Sequence, residues 1–243
     1  MNDEAEGADL MKVAQSEGML GLLAATVKNA DAIITGALGT EKLHLFMIPG
    51  RLVQAARNKS FIGQLAREFD ELRAKGAIKP DYSHSEQAQA CLQELLAALE
   101  DPPVDDVKFN LLKSLFLAAS TEARTSRSDL SPQLLMNIAR RLSSGEIVLM
   151  ATTYGVAQSP EGAPERVGSA AGAWIQEMSK RSGLGTGAMV EVYEEGLMQK
   201  KILTPRHFGD KSGIDAGPNF RLTDLGVELC RVLSANPPND KPF

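Results

Sequence analysis

The stretch TGAMVEVYEEGLMQKKILTPRHFGDKSGIDAGPNFRLTDLGVELCRVLS, residues Thr186–Ser234, decides how the rest of the chain is read. Met189, Val190, Val192, Tyr193 and Leu197 recur at helical spacing, and Gly196 sits near the end of the run. The helical pattern then gives way to Ile202-Leu203-Thr204, short, partly β-branched and stopped by Pro205. After a loop rich in Gly, Asp and Pro comes Phe220-Arg221-Leu222-Thr223, which can pair back antiparallel to the first strand. The run Asp224–Leu233 closes the stretch as a helix with an apolar stripe and an acid in its first turn.

The order Gly-Leu, basic pair, Ile-Leu, loop, Leu-Thr-x-Leu-Gly resembles the ending of many bacterial winged-helix domains, including transcription regulators, with the loop as the wing. Upstream, Ser143 or Ser144 with Glu146 close behind caps a first helix, Ile147 to Tyr154. A loop, Gly155 to Val167, and a second helix, about Gly168 to Arg181 with Trp174, Ile175 and Met178 inward, complete the order a winged helix-turn-helix needs. The domain border therefore falls near Ser143. Winged helices read DNA in some proteins and dock other proteins in others, so the fold alone does not choose a function.

The N-terminal part reads as a helical bundle. An acidic tail, residues 1–9, precedes a helical pattern from Leu10 to about Asn29. The stretch Gly18 to Thr40 is poor in charge, interrupted by Lys28 and Asp31. A packed helix pair is the plain reading, because charges at mid-segment are costly in lipid; a membrane-perturbing segment is the alternative. The apolar patch Leu43 to Ile48 ends at Pro49-Gly50, where a turn or kink is expected. Helical patterns resume over Arg51 to Arg57 and Ser60 to Lys75, with Phe61, Ile62, Leu65, Phe69 and Leu72 on one face and Gly76 as the stop. Ser83-x-x-Glu86 is a capping-box pattern for a helix to about Leu99, and Asp101-Pro102-Pro103 ends it. A helix over about Val104 to Ala123 follows, and Ser131-Pro132 supplies a cap and first-turn proline for another reaching Leu142. The expected layout is thus a tail at 1–9, a helical domain at 10–142, a winged helix at 143–235 and a flexible tail at 236–243, mainly α with a small β-hairpin wing.

The run from Asp81-Tyr82 through CLQELLAALEDPPVDDVKFNLLKSLFLAAS, from Cys91, to LMNIARRLSSGEIVLMATTY, from Leu135, looks like uncharacterised bacterial proteins of mobile or defence regions. It is also similar to the abortive-infection alpha family, in which a Gly-rich apolar N-terminal segment precedes helices and a winged-helix-like end. That resemblance implies a defence-type role and carries over no catalytic residue.

Charge narrows the functional classes. The whole chain of 243 residues has a net charge of −5, and Ser143–Phe243 holds ten Lys and Arg against twelve Asp and Glu. A dedicated DNA reader is usually basic. The helix in the recognition position carries Glu191, Glu194 and Glu195, which would face phosphates in a groove. Protein docking or self-association is favoured, and DNA binding is the competing reading. Its contacts would come from Lys180, Arg181, Lys200, Lys201, Arg206, Lys211 and Arg221, residues that are most simply solvated surface charges.

Catalytic and metal signatures are missing. His44, His84 and His207 have no Cys or carboxylate at ligand spacing, and there is no G-x-S-x-G, P-loop or C-x-x-C, so no cofactor, metal or enzymatic activity is expected. Gly183-Leu184-Gly185-Thr186-Gly187-Ala188 matches the letters of a dinucleotide fingerprint, but it follows a helical pattern instead of a strand and reads as a helix-turn-helix turn. Cys91 and Cys230 lie inside helical patterns as buried thiols. The acidic start MNDEAEGADL and the lack of any eighteen-residue apolar run point to a cytoplasmic protein, with a membrane partner not expected.

Overall fold

The computed structural model describes residues 48–79, 82, 85–100, 104–121, 131–158, 171–205, 208–209, 213–214 and 221–235. The expected N-terminal tail, the Gly18–Thr40 segment, the three histidines and the tail from 236 all lie outside these residues. Among the described residues the protein is mainly helical, with eight helices. They are α1 (Ile48–Ala74), α2 (Glu86–Glu100), α3 (Asp106–Ser120), α4 (Pro132–Arg140), α5 (Ser144–Gln158), α6 (Ala171–Ser182), α7 (Gly187–Gln199) and α8 (Asp224–Ala235). Two two-residue strands, β1 (Phe208–Gly209) and β2 (Gly213–Ile214), pair antiparallel.

Two compact units divide the described residues: those before Pro103 together with those from Phe116 to Arg127, and Val104–Leu115 together with those from Ser128 onward. The dividing line passes through α3, so neither unit is one continuous length of chain.

In the first unit, α1 is a single helix from Ile48, where the sequence suggested a turn at Pro49-Gly50 and two shorter runs. Pro49 falls in the first turn, where its missing N–H removes no intrahelical bond. Phe61, Ile62, Leu65 and Phe69 of α1 are buried, as are Ala88, Cys91, Leu92 and Leu95 of α2. The rings of Phe69 and Tyr82 each lie 6.2 Å from that of Phe116. The cap of α2 is Ser85, not Ser83: its hydroxyl accepts from the Ala88 amide at 3.1 Å and donates to Tyr82 O at 2.8 Å. Beyond Gly76, in the left-handed region at φ +67°, Ile78 bridges antiparallel to Thr121.

In the second unit, Asp105 caps α3 through a 3.0 Å bond from the Lys108 amide, and Ser131 caps α4 through a 3.2 Å bond from Leu134 N, with Pro132 in the first turn. Ser143 and Glu146 form a capping box at the start of α5. The Glu146 amide donates to the Ser143 hydroxyl at 3.3 Å, and Glu146 Oε2 accepts from the Ser143 amide at 2.7 Å. Helix α5 runs on to Gln158, four residues past the expected stop at Tyr154. It is the hub of this unit, packing against α6, α7 and α8, while α6 also packs against α7. Ile147, Leu149 and Met150 of α5, Trp174 and Met178 of α6, Val190 and Leu197 of α7, and Leu229 and Leu233 of α8 are buried.

Two glycines, Gly183 at φ +68° and Gly185 at φ +85°, make the turn from α6 to α7. Thr186 then caps α7, accepting from the Met189 amide at 3.4 Å. The letters of the dinucleotide fingerprint therefore join two helices, with no preceding strand. Downstream of α7, Leu203 bridges antiparallel to Leu222, extended by the 2.8 Å bond from Thr204 N to Arg221 O and the 3.0 Å bond from Thr223 N to Ile202 O. Thr223 caps α8 by accepting from Gly226 N at 3.2 Å.

Candidate functional site

The end of α7 is built as a Schellman motif. Ile202 N donates to Leu197 O at 3.0 Å and Lys201 N to Met198 O at 3.0 Å. Lys201 takes the left-handed conformation at φ 59°, a position that favours glycine. Ile202 and Leu197 are both buried, and Lys201 itself stays exposed.

Lys200, one residue earlier, turns inward to α5. Its ammonium lies 2.6 Å from Glu146 Oε1, the carboxylate oxygen not used by the capping box. One carboxylate therefore both closes the start of α5 and holds the end of α7. The helices come close at this point because of two glycines. A Cβ on Gly196 would strike Glu146 Oε1, and a Cβ on Gly145 would strike the Tyr193 ring.

Arg221 is the largest departure from a surface role. Its side chain is 1% exposed, and its Nη1 pairs with Glu194 of α7, whose side chain is 2% exposed. Nη2 and Nε donate to Thr204 O at 2.6 and 3.1 Å, while Arg221 O accepts from Thr204 N at 2.8 Å and from its hydroxyl at 3.0 Å. The guanidinium carbon lies 5.5 Å from the centre of the Trp174 ring. Arg221 is thus a tie between α6, α7 and the Leu203–Leu222 bridge. Glu194, read from sequence as outward, is its partner in the interior.

The expected contact residues are scattered. Lys180 and Arg181 are exposed on the last turn of α6, where Arg181 Nε lies 2.5 Å from Glu177. Lys201 is exposed, Lys200 is half-buried against Glu146, and Arg221 is interior. Arg206 and Lys211 lie outside the described residues.

Helix α7 turns a different chemistry outward. Met189 and Val192, two of the apolar residues at helical spacing, are 40% and 61% exposed, and Glu191 and Glu195 are exposed beside them. Val190, Glu194 and Leu197 form the buried face. No Lys or Arg occurs between Gly187 and Gln199.

Comparison with known proteins returns no match. Neither a protein-family model, nor a curated protein, nor a solved structure is similar to the chain.

Among the described residues no three His, Cys, Asp or Glu side chains gather as a metal site, and no helix is long and apolar enough to cross a membrane. Cys230 is buried in α8 with its Sγ 3.6 Å from Met150 O, and burial pushes its thiol pKa up, which leaves it a poor nucleophile. The sequence missed the Arg221–Glu194 pair. A signal for it was present: a single acid, Glu194, falls on the same helical face as Val190 and Leu197.

Proposed function

We propose that this is a non-enzymatic regulatory or defence-type protein that acts through protein–protein contacts, with α5 to α8 serving as a winged-helix docking module. The helix order α5, α6, α7, the antiparallel bridge of Leu203 with Leu222, the β1–β2 pair as wing and the closing α8 support the fold reading. One observation carries the functional reading. The outward face of α7, the helix in the recognition position, presents Met189, Glu191, Val192 and Glu195 and no cation. A helix entering a DNA groove meets phosphate on both sides, and two acids there are repelled. The same face suits a protein partner, because exposed apolar side chains gain by burial and the flanking acids set orientation.

DNA binding is tested directly by fluorescence anisotropy of random duplexes titrated over salt. The expected result is no salt-sensitive binding. Binding that weakens steeply with salt and is lost in Lys180→Glu/Arg181→Glu/Lys201→Glu overturns the docking reading in favour of a DNA-binding regulator. Lys200 is a poor probe here, since Lys200→Glu sets a second carboxylate against Glu146 and disturbs the fold itself.

A further inference from the structure

Resting on the docking reading of α7, we infer that the partner is a basic amphipathic helix of another protein, seated along Met189 and Val192 with its cations against Glu191 and Glu195. Met189 and Val192 are three residues apart and therefore neighbours on the helix surface, with Ala188 one turn before Val192 extending the apolar patch. Glu191 and Glu195, four apart, form a second row along the edge of that patch. Glu195 is held along the helix axis by a 3.5 Å bond from Gln199. An apolar ridge edged by a line of acids is complementary to a helix whose apolar residues recur every three to four positions beside Lys or Arg.

Charge also chooses between occupants. A second copy of this chain docking antiparallel through the same face would bring the Glu191 and Glu195 rows of both copies together, a like-charge contact that disfavours that symmetric dimer. An acidic or nucleic-acid partner meets the same repulsion. A basic helix gains from both parts of the surface. Its encounter is accelerated by the acids and weakened by salt, while Met189 and Val192 supply the desolvated centre.

The test is a selection from a displayed library of helical peptides, randomised at all outward positions, against the full-length protein. The expected winners carry Leu, Ile or Met at helical spacing beside Lys or Arg. Synthesised and measured by anisotropy, they lose about tenfold or more in affinity against Val192→Arg, the loss seen when a central contact is removed. Against Glu191→Lys/Glu195→Lys the same selection yields acidic peptides instead. Peptides that are neutral or acidic yet still lose binding with Val192→Arg overturn the basic partner while keeping α7 as a docking face. Winners indifferent to every α7 substitution, or no enrichment at all, overturn both. Sedimentation of the protein alone covers the remaining occupant: a concentration-dependent dimer abolished by Val192→Arg assigns the face to a second copy and overturns the inference.

Discussion

Arg221 and Glu194 meet in the interior as an ion pair with both side chains almost wholly removed from water. Two charges so placed repay their desolvation only with good geometry and further hydrogen bonds, which Arg221 finds at Thr204 O. Removing one partner leaves the other charged and buried, at a cost of about 3–5 kcal/mol. Arg221→Met and Glu194→Leu are each expected to lower the urea midpoint sharply. The double variant should recover most of the loss, because no buried charge remains. A double variant as unstable as the sum of the singles would mean that packing at the two sites, and not the charge pair, governs the effect.

The Lys200–Glu146 contact should rank far lower. Lys200 is 30% exposed, so screening keeps Lys200→Ala within about 1 kcal/mol. Glu146→Gln preserves a capping acceptor, whereas Glu146→Ala removes the box as well as the ion pair and should cost more, about 1–2 kcal/mol. Chemical unfolding of the three variants gives the order directly.

Glycine positions should split into two classes. Alanine is the better helix former by about 1 kcal/mol, and a Cβ at Gly63 or Gly155 would meet nothing within 4 Å. Gly63→Ala and Gly155→Ala are expected to raise the melting temperature. Gly196→Ala drives a methyl into Glu146, and Gly226→Ala into the Ile202 carbonyl, so both should lower it despite the same gain in propensity.

Lys201 holds a left-handed conformation that costs an L-residue about 1–2 kcal/mol. Part of that strain is recovered by Lys201→Gly, less the extra freedom glycine has in the unfolded chain. A gain of about 0.5–1 kcal/mol in thermal or urea unfolding is expected, with the outward face of α7 unchanged.

Cys230 makes stability depend on alkaline pH. Burial pushes its thiol pKa up in the folded state. Below the ordinary thiol value of about 8.5 the group is neutral in both states and its contribution is fully present. Above that value the unfolded chain ionises first, and the contribution is lost at about 1.4 kcal/mol per pH unit as pH rises toward the folded value. The stability difference between the protein and Cys230→Ala should therefore shrink from pH 8 to pH 10. In the folded protein a thiol reagent should label Cys230 only at the rate of unfolding.

What was legible in the sequence was local. Ser131-Pro132, and Ser143 or Ser144 ahead of Glu146, announce their helices because cap and first turn lie within four residues of one another. The pairing of Ile202–Thr204 with Arg221–Thr223 was legible from two short apolar runs bounded by Pro and Gly. What depended on distant partners was hidden. Glu194 and Arg221 are 27 residues apart, and only the closed fold decides that this arginine points inward while Lys201 does not. Apolar spacing grouped Met189 and Val192 with Val190 as one helical pattern, without saying which of them face inward. A 3.6-residue period cannot say which side is buried when apolar residues occur on both. The capping-box pattern Ser83-x-x-Glu86 set the start of α2 two residues early, because the cap that forms is Ser85, directly before Glu86.

The close approach of α5 and α7 sets a rule of inheritance. A Cβ at Gly145 would strike the Tyr193 ring and one at Gly196 the Glu146 carboxylate, and at Glu146 one carboxylate serves a cap and a lysine together. Distant relatives should vary freely at Gly63 and Gly155 yet keep Ser-x-Gly-Glu at the start of α5 and Gly-x-x-x-Lys at the end of α7. Where position 146 loses its acid, position 196 is released from glycine and position 200 from lysine. These three positions change together, and their joint substitution marks kinship after overall identity has faded.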